Sequence, residues 1–189
     1  MTETPRDLLN VSDADLAATY PLIVPASYGQ HGNFPAQLIP LKDPGLALTW
    51  VALAHPGSML YVMSEIVATW EMHGVDLYDR AISNMREADE GLTWTHVKTD
   101  AWGRLIQVGM MHEDGLGSSR LLCRAELEET FPMGYEVALP DRSCGLALSA
   151  SATAEERQAF VELVRNCWEH ATIPMRGDVL SPDALVPRS

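Results

Sequence analysis

The stretch that decides the fold is residues 134–168, which read GYEVALPDRSCGLALSASATAEERQAFVELVRNCW. Within it, large apolar residues alternate with other residues along 135–139, and this alternation predicts a strand with one buried face. Residues 140–143, Pro-Asp-Arg-Ser, have the composition of a tight turn, and the small apolar residues 145–149 predict a second strand. The stretch therefore begins with a β-hairpin.

A helix follows this hairpin. Thr153 and Glu156 have the spacing of a capping box, in which each side chain accepts a hydrogen bond from the other residue's backbone amide. The residues beyond them recur at helical spacing and predict an apolar stripe facing the core, formed by Phe160, Leu163, Val164, Cys167 and Trp168. This stripe would cover one face of the sheet.

The rest of the chain repeats the same arrangement of hairpins separated by helices. Further strands are predicted at 46–54, 59–63, 92–97 and 104–111, and further helices at 14–20, 65–72, 77–85 and 118–129. Ser64, Asp76 and Ser118 or Ser119 are the expected caps of the last three helices. Because strands and helices do not alternate regularly, the fold class is α+β, with an antiparallel or mixed sheet and helices mainly on one face.

The chain divides into three parts by composition. Residues 1–45 hold a short helix and an apolar, proline-rich arm, which we expect to lie on the body of the protein or on a second subunit. Residues 46–175 form a single α+β domain. Residues 176–189 are a tail whose end, Leu-Val-Pro-Arg-Ser, resembles a thrombin-cleavable linker from an expression vector.

Charge and cysteine content exclude several function classes. Acidic residues outnumber basic ones by 26 to 13, and the resulting net charge of −13 without a basic patch argues against binding nucleic acid or anionic membranes. Three widely spaced cysteines predict reduced thiols and a cytoplasmic protein. The first residues lack the pattern of a signal peptide, so we expect none, and no apolar run is long enough to predict a membrane span.

The residues most suggestive of catalysis are Cys144, Asp141 and His112. An arginine beside Cys144 can lower the pKa of a thiol and favour a nucleophile, and His112 or His96 is a possible base if the fold brings it near. A small residue opening a strand is the simpler interpretation of Cys144, and a polar turn is the simpler interpretation of His112. No HExxH, GxSxG or P-loop motif is present, and we predict neither a metal nor a cofactor.

Two further residues are candidates for binding. Arg142 occupies the charged turn of the hairpin, and Trp102 occupies a predicted turn between strands, where it could contact a protein partner. The glycine-rich run 115–119 before a predicted helix could receive an anion, although a glycine-rich turn followed by a helix cap explains it equally well.

From about residue 60 to residue 173 the order of features matches a family pattern. The matching pieces are Tyr61-Val62-Met63-Ser64 followed by Trp70, the helix from Leu77 to Asn84, Ser119-Arg120-Leu121-Leu122, and Val137-Ala138-Leu139-Pro140-Asp141-Arg142. In these features the chain resembles the YtpQ-like family of bacterial proteins of unknown function. It departs from the family at 143–145, where Ser-Cys-Gly stands in place of an acidic and then an aliphatic residue. The resemblance implies a cytoplasmic bacterial protein and supplies no catalytic residues.

The sequence therefore favours a non-catalytic cytoplasmic interaction or regulatory domain that binds a protein partner or a second copy of itself. Two alternatives remain open. One is a small hydrolase or transferase that uses Cys144 and His112, and the other is a small-molecule sensor with a pocket between sheet and helices.

Overall fold

A computed structural model describes residues 13–30, 34–55, 58–88 and 92–188. Within these ranges the chain forms five α-helices and two antiparallel sheets with eight strands. The predicted α+β fold class is confirmed.

The first sheet consists of β1 (Thr19–Pro25), β2 (Ile39–Pro40), β3 (Leu46–His55) and β4 (Ser58–Tyr61). The long strand β3 pairs with β1 on one side and with β2 and β4 on the other. Because β1 lies at an edge, it tolerates two prolines, which cannot donate to a neighbouring strand. The proline-rich arm thus contributes a strand whose central residues, Leu22, Ile23 and Val24, are fully buried.

The predicted first helix is shorter in the structure. α1 spans Asp13–Ala17, whereas the prediction extended it to residue 20. The difference arises because Thr19 and Tyr20 pair with β3 instead of continuing the helix. The buried Asn84 side chain stabilises this change of direction by donating to the carbonyls of Leu16 (2.8 Å) and Thr19 (2.7 Å).

Two helices follow the first sheet. α2 spans Ser64–Met72 and α3 spans Leu77–Glu87. Asp76 caps α3 as predicted, because its Oδ1 accepts from the Asp79 amide at 3.1 Å. Ser64 does not cap α2, since the cap residue is Met63 and the Ser64 hydroxyl donates to the Pro35 carbonyl at 3.2 Å.

The second sheet has the strand order β5-β6-β8-β7. Its members are β5 (His96–Thr99), β6 (Leu105–Met111), β7 (Tyr135–Asp141) and β8 (Cys144–Ser149). The hairpin predicted within 134–168 is β7-β8, and a register shift between Ala138 and Asp141 bends β7 before the turn.

α5 spans Ala154–Glu169 and covers one face of this sheet. The predicted capping box is present: the Glu156 amide donates to the Thr153 hydroxyl at 3.2 Å, and the Thr153 amide donates to Glu156 Oε2 at 2.7 Å. The buried stripe is narrower than predicted. Only Phe160 and Val164 are buried in this helix, because α5 contacts the sheet through one row of side chains. The other predicted members, Leu163, Cys167 and Trp168, are partly exposed or exposed.

The helix predicted at 118–129 is interrupted. A 3-10 helix spans Ser119–Leu122, and α4 spans Arg124–Thr130, with the non-helical Cys123 between them. Ser118 is the N-cap residue of the 3-10 helix, but neither serine side chain caps a helix by hydrogen bonding. Ser118 makes no capping hydrogen bond, and the Ser119 hydroxyl oxygen accepts from the Ile23 amide of β1 at 2.9 Å.

The tail folds back over the body. Leu180 exchanges backbone hydrogen bonds with Val137, so the tail covers the outer edge of β7. Leu185 is only 2% exposed, and Pro187 forms a bridge with Leu41. The vector origin of the last residues stays a prediction. In the described ranges, no helix combines the length and hydropathy needed to cross a membrane.

Candidate functional site

A cleft of about 510 Å³ lies where the end of β6, the β7-β8 turn and the chain after α5 meet. Three residues singled out from the sequence, His112, Asp141 and Arg142, line it together. The remaining lining residues are Met111, Glu113, Gly115, Ser143, Thr172 and Ile173.

Close backbone contact holds one side of this cleft in place. The glycine-rich loop after β6 passes so near the β7-β8 turn that a Cβ on Gly117 would overlap the Ser143 carbonyl oxygen and lie 2.5 Å from the Met110 carbonyl oxygen. A Cβ on Gly145 would likewise overlap the Gly117 carbonyl oxygen. The Ser118 amide donates to the Arg142 carbonyl at 3.1 Å. Gly117 of this run therefore serves close packing, and the Ser118 amide joins the run to the turn.

A buried ion pair braces the same loop. The Arg120 guanidinium donates to both carboxylate oxygens of Asp114, with Nη1–Oδ1 at 3.0 Å and Nη2–Oδ2 at 2.6 Å. Asp114 Oδ1 also accepts from the Leu116 amide at 2.9 Å. Burial raises the pKa of Asp114, but the hydrogen bonds from Arg120 and Leu116 outweigh it, so the pKa is lowered overall. Asp114 is ionised at neutral pH.

Asp141 has a structural role at the corner of the hairpin. Its Oδ1 accepts from the Ser143 amide (2.8 Å) and hydroxyl (2.6 Å), and its Oδ2 accepts from the Ile173 amide (2.8 Å). Burial raises the pKa of Asp141, but these hydrogen bonds outweigh that effect and lower it. The carboxylate joins the turn to the chain after α5, and it holds no proton to donate at neutral pH.

The structure gives no support to a Cys144–His112 pair. Cys144 is buried and does not line the cleft, and burial raises the pKa of its thiol to about 12. The thiol is therefore protonated at neutral pH and a poor nucleophile. His112 is buried as well, with its Nε2 3.1 Å from the Thr93 carbonyl oxygen. His96 lies outside the cleft, with its Nδ1 3.1 Å from the Thr95 hydroxyl.

Arg142 is the cationic group of the cleft. Its backbone is fixed on both sides, since its amide donates to the Ile173 carbonyl and its carbonyl accepts from Ser118. Its Nε is buried without a hydrogen-bond partner, and the guanidinium makes no ion pair with any residue in the described ranges. Arg142 and Asp141 therefore do not pair with each other.

A second candidate surface is the hairpin of β5 and β6, which is separate from the cleft. All four residues of β5 are exposed, including Val97 at 57%. Trp102, in the turn after β5, is 89% exposed. Asp100 shapes this turn by accepting from the amides of Trp102 (2.9 Å) and Arg104 (2.8 Å). The turn thus presents an indole ring to solvent beside an open strand edge.

Sequence reasoning missed part of the cleft. Thr172 and Ile173 join it from the segment after α5, and no local pattern marks them. The Arg120–Asp114 pair was also missed, because a short polar run before a helix is normally solvent-exposed. Among the described residues, no group of three or more histidine, cysteine or acidic side chains is placed to hold a metal ion.

No family model, curated protein or solved structure matches this chain. The resemblance to the YtpQ-like family therefore stays a prediction.

Proposed function

We propose that this protein is a non-catalytic interaction domain of the bacterial cytoplasm, and that it pairs with a second copy of itself through β5. The observation that carries the proposal is the open edge of the second sheet, where β5 is exposed along its whole length. An exposed edge strand presents backbone donors and acceptors that a second strand can pair with.

Two other sheet edges, those of β7 and β1, support this choice because the chain makes hydrogen bonds to them itself. The tail bonds along β7 at several points, including the Arg176 amide to the Leu139 carbonyl at 2.9 Å. On β1, the Ile23 amide donates to Ser119. β5 has no comparable cover among the described residues. Since two-fold dimers are the commonest homo-oligomers, a β5–β5 contact is the simplest assembly.

The side chains of β5 suit one antiparallel register. If the two-fold axis passes between the Val97 residues of the two copies, these apolar side chains lie opposite each other, and each Lys98 faces a His96 of the other copy. The two lysines then avoid direct opposition, which would destabilise the pair. Trp102 at the end of the hairpin adds an exposed aromatic surface of the kind enriched at interfaces.

Other properties fit a non-catalytic role. The buried, protonated Cys144 thiol does not favour covalent catalysis. The three cysteines are free, as expected of a protein in a reducing compartment.

Each copy carries a net charge of −13, so salt should strengthen self-association by screening the repulsion between copies.

Charge exchange at Val97 tests the proposal. In sedimentation velocity runs over a concentration series, the wild-type protein should form a dimer. Val97→Lys and Val97→Glu should each be monomeric, because each places like charges opposite one another across the axis. A mixture of the two variants should form a heterodimer, since opposite charges then face each other.

Val97→Thr is the matched control, because it keeps a β-branched side chain suited to a strand and adds no charge. It should dimerise more strongly than either charged variant. A wild-type protein that stays monomeric in both low and high salt would refute the proposal, and so would a dimer that all three variants preserve.

A further inference from the structure

We infer that the cleft beside the β7-β8 turn binds an organic monocarboxylate, with the Arg142 guanidinium as its ionic partner. This site is distinct from the β5 surface and does not depend on it.

The Arg142 guanidinium has hydrogen-bonding capacity that the chain does not use. Arg142 is half-buried, its Nε has no hydrogen-bond partner, and no carboxylate in the described ranges pairs with it. A buried polar group without a partner lowers stability, so native proteins contain few of them. The terminal guanidinium nitrogens are not among the buried atoms, and Arg142 lines the cleft. An anion in the cleft can therefore reach them.

The backbone that carries the Arg142 guanidinium is fixed before any ligand binds. The Arg142 backbone is bonded to Ile173 on one side and to Ser118 on the other. Its side chain passes over Gly115, where a Cβ would lie 3.5 Å from Nη2 and 3.7 Å from Nε. Because the backbone of this turn is already fixed, binding does not have to order the turn.

The composition of the cleft selects the class of anion. Glu113 and Asp141 also line it, so a single arginine faces two acidic residues. Both acidic residues repel negative charge on a ligand, so a group with one negative charge on Arg142 is favoured over a phosphate dianion. Met111 is 41% exposed and lines the cleft with Ile173, which offers apolar contact for the body of the ligand. A carboxylate with an aliphatic chain fits both features, because arginine binds carboxylates with two parallel hydrogen bonds.

Octanoate is the probe for the first experiment. Arginine Nε–H groups give their own signals in ¹H–¹⁵N spectra, so octanoate should produce a saturable shift of the Arg142 signal in the wild-type protein. Octanamide, the neutral analogue, and inorganic phosphate are parallel titrations. Octanoate should bind at least about tenfold more tightly than octanamide, because an ionised partner roughly doubles hydrogen-bond strength. It should also bind more tightly than phosphate, which the acidic residues of the cleft repel and which has no aliphatic chain to contact Met111 and Ile173.

Arg142→Gln should weaken octanoate binding at least about tenfold, and Arg142→Lys should retain part of it. The matched control is Arg165→Gln, which removes an exposed arginine from α5 outside the cleft and should bind octanoate as the wild type does. Equal binding of octanamide and octanoate would overturn the inference, as would tighter binding of phosphate. If Arg142→Gln does not fold, an Arg142 signal that stays unmoved at saturating octanoate is sufficient to overturn it.

Discussion

Replacing Asp114 with asparagine is expected to destabilise the fold by about 3 kcal/mol, because it removes the carboxylate charge to which the buried Arg120 guanidinium donates two hydrogen bonds. Arg120 is 1% exposed, and both of its terminal nitrogens donate to Asp114. Removing one partner of a buried pair costs about 3–5 kcal/mol, and the lower end applies here since the Asp114 side chain is 21% exposed.

Urea unfolding followed by tryptophan fluorescence measures this loss, and thermal unfolding checks it. In a domain of this size each kcal/mol corresponds to about 2–4 °C, so the midpoint of Asp114→Asn should fall by about 6–12 °C. The control is Asp114→Asn combined with Arg120→Met. The double variant holds no buried charge at either position, so it should recover part of the loss.

The effect also has a defined pH dependence. Because the pKa of Asp114 is lowered in the folded state, its contribution to stability is complete at pH values above its unfolded-state pKa of about 4. The contribution disappears as the pH falls through the folded pKa. The stability difference between wild type and Asp114→Asn should therefore be full at neutral pH and shrink in acid. A loss below about 1 kcal/mol at neutral pH would refute the reasoning, since it would fall within the range of an exposed ion pair.

Two further results are expected. Gly117→Ala should lower the free energy of unfolding by about 3 kcal/mol, because its Cβ would overlap the Ser143 carbonyl. Gly103→Ala is the control: its Cβ meets no neighbour and only strains a positive φ, so the free energy of unfolding should fall by about 1 kcal/mol. Urea titration measures both values. Iodoacetamide should modify Cys167 well before Cys144, because the Cys144 thiol is buried and its pKa is raised to about 12. Mass spectrometry of the labelled protein identifies the modified residue. Rapid labelling of Cys144 would contradict this prediction and favour the hydrolase alternative.

Elements whose signals are local could be predicted from the amino-acid sequence. The β7-β8 hairpin, the Thr153 capping box and the Asp76 cap all depend on residues a few positions apart, and each is present. Predictions failed where distant partners compete for the same group. The Ser119 hydroxyl oxygen, expected to cap a helix, accepts from Ile23, which is 96 positions away. Helix α1 ends early because β3 pairs with the residues that follow it.

The candidate site shows the same division. The sequence singled out His112, Asp141 and Arg142 by chemical type, but it could not indicate that they line one cleft with Thr172 and Ile173. The sequence also left open whether Cys144 is a nucleophile. In the structure Cys144 packs against α5, and the resulting burial raises the pKa of its thiol. Local spacing sets turns and caps because neighbouring residues make those hydrogen bonds. Burial, pairing and pKa depend on contacts between remote segments, and for this chain only the tertiary structure decided them.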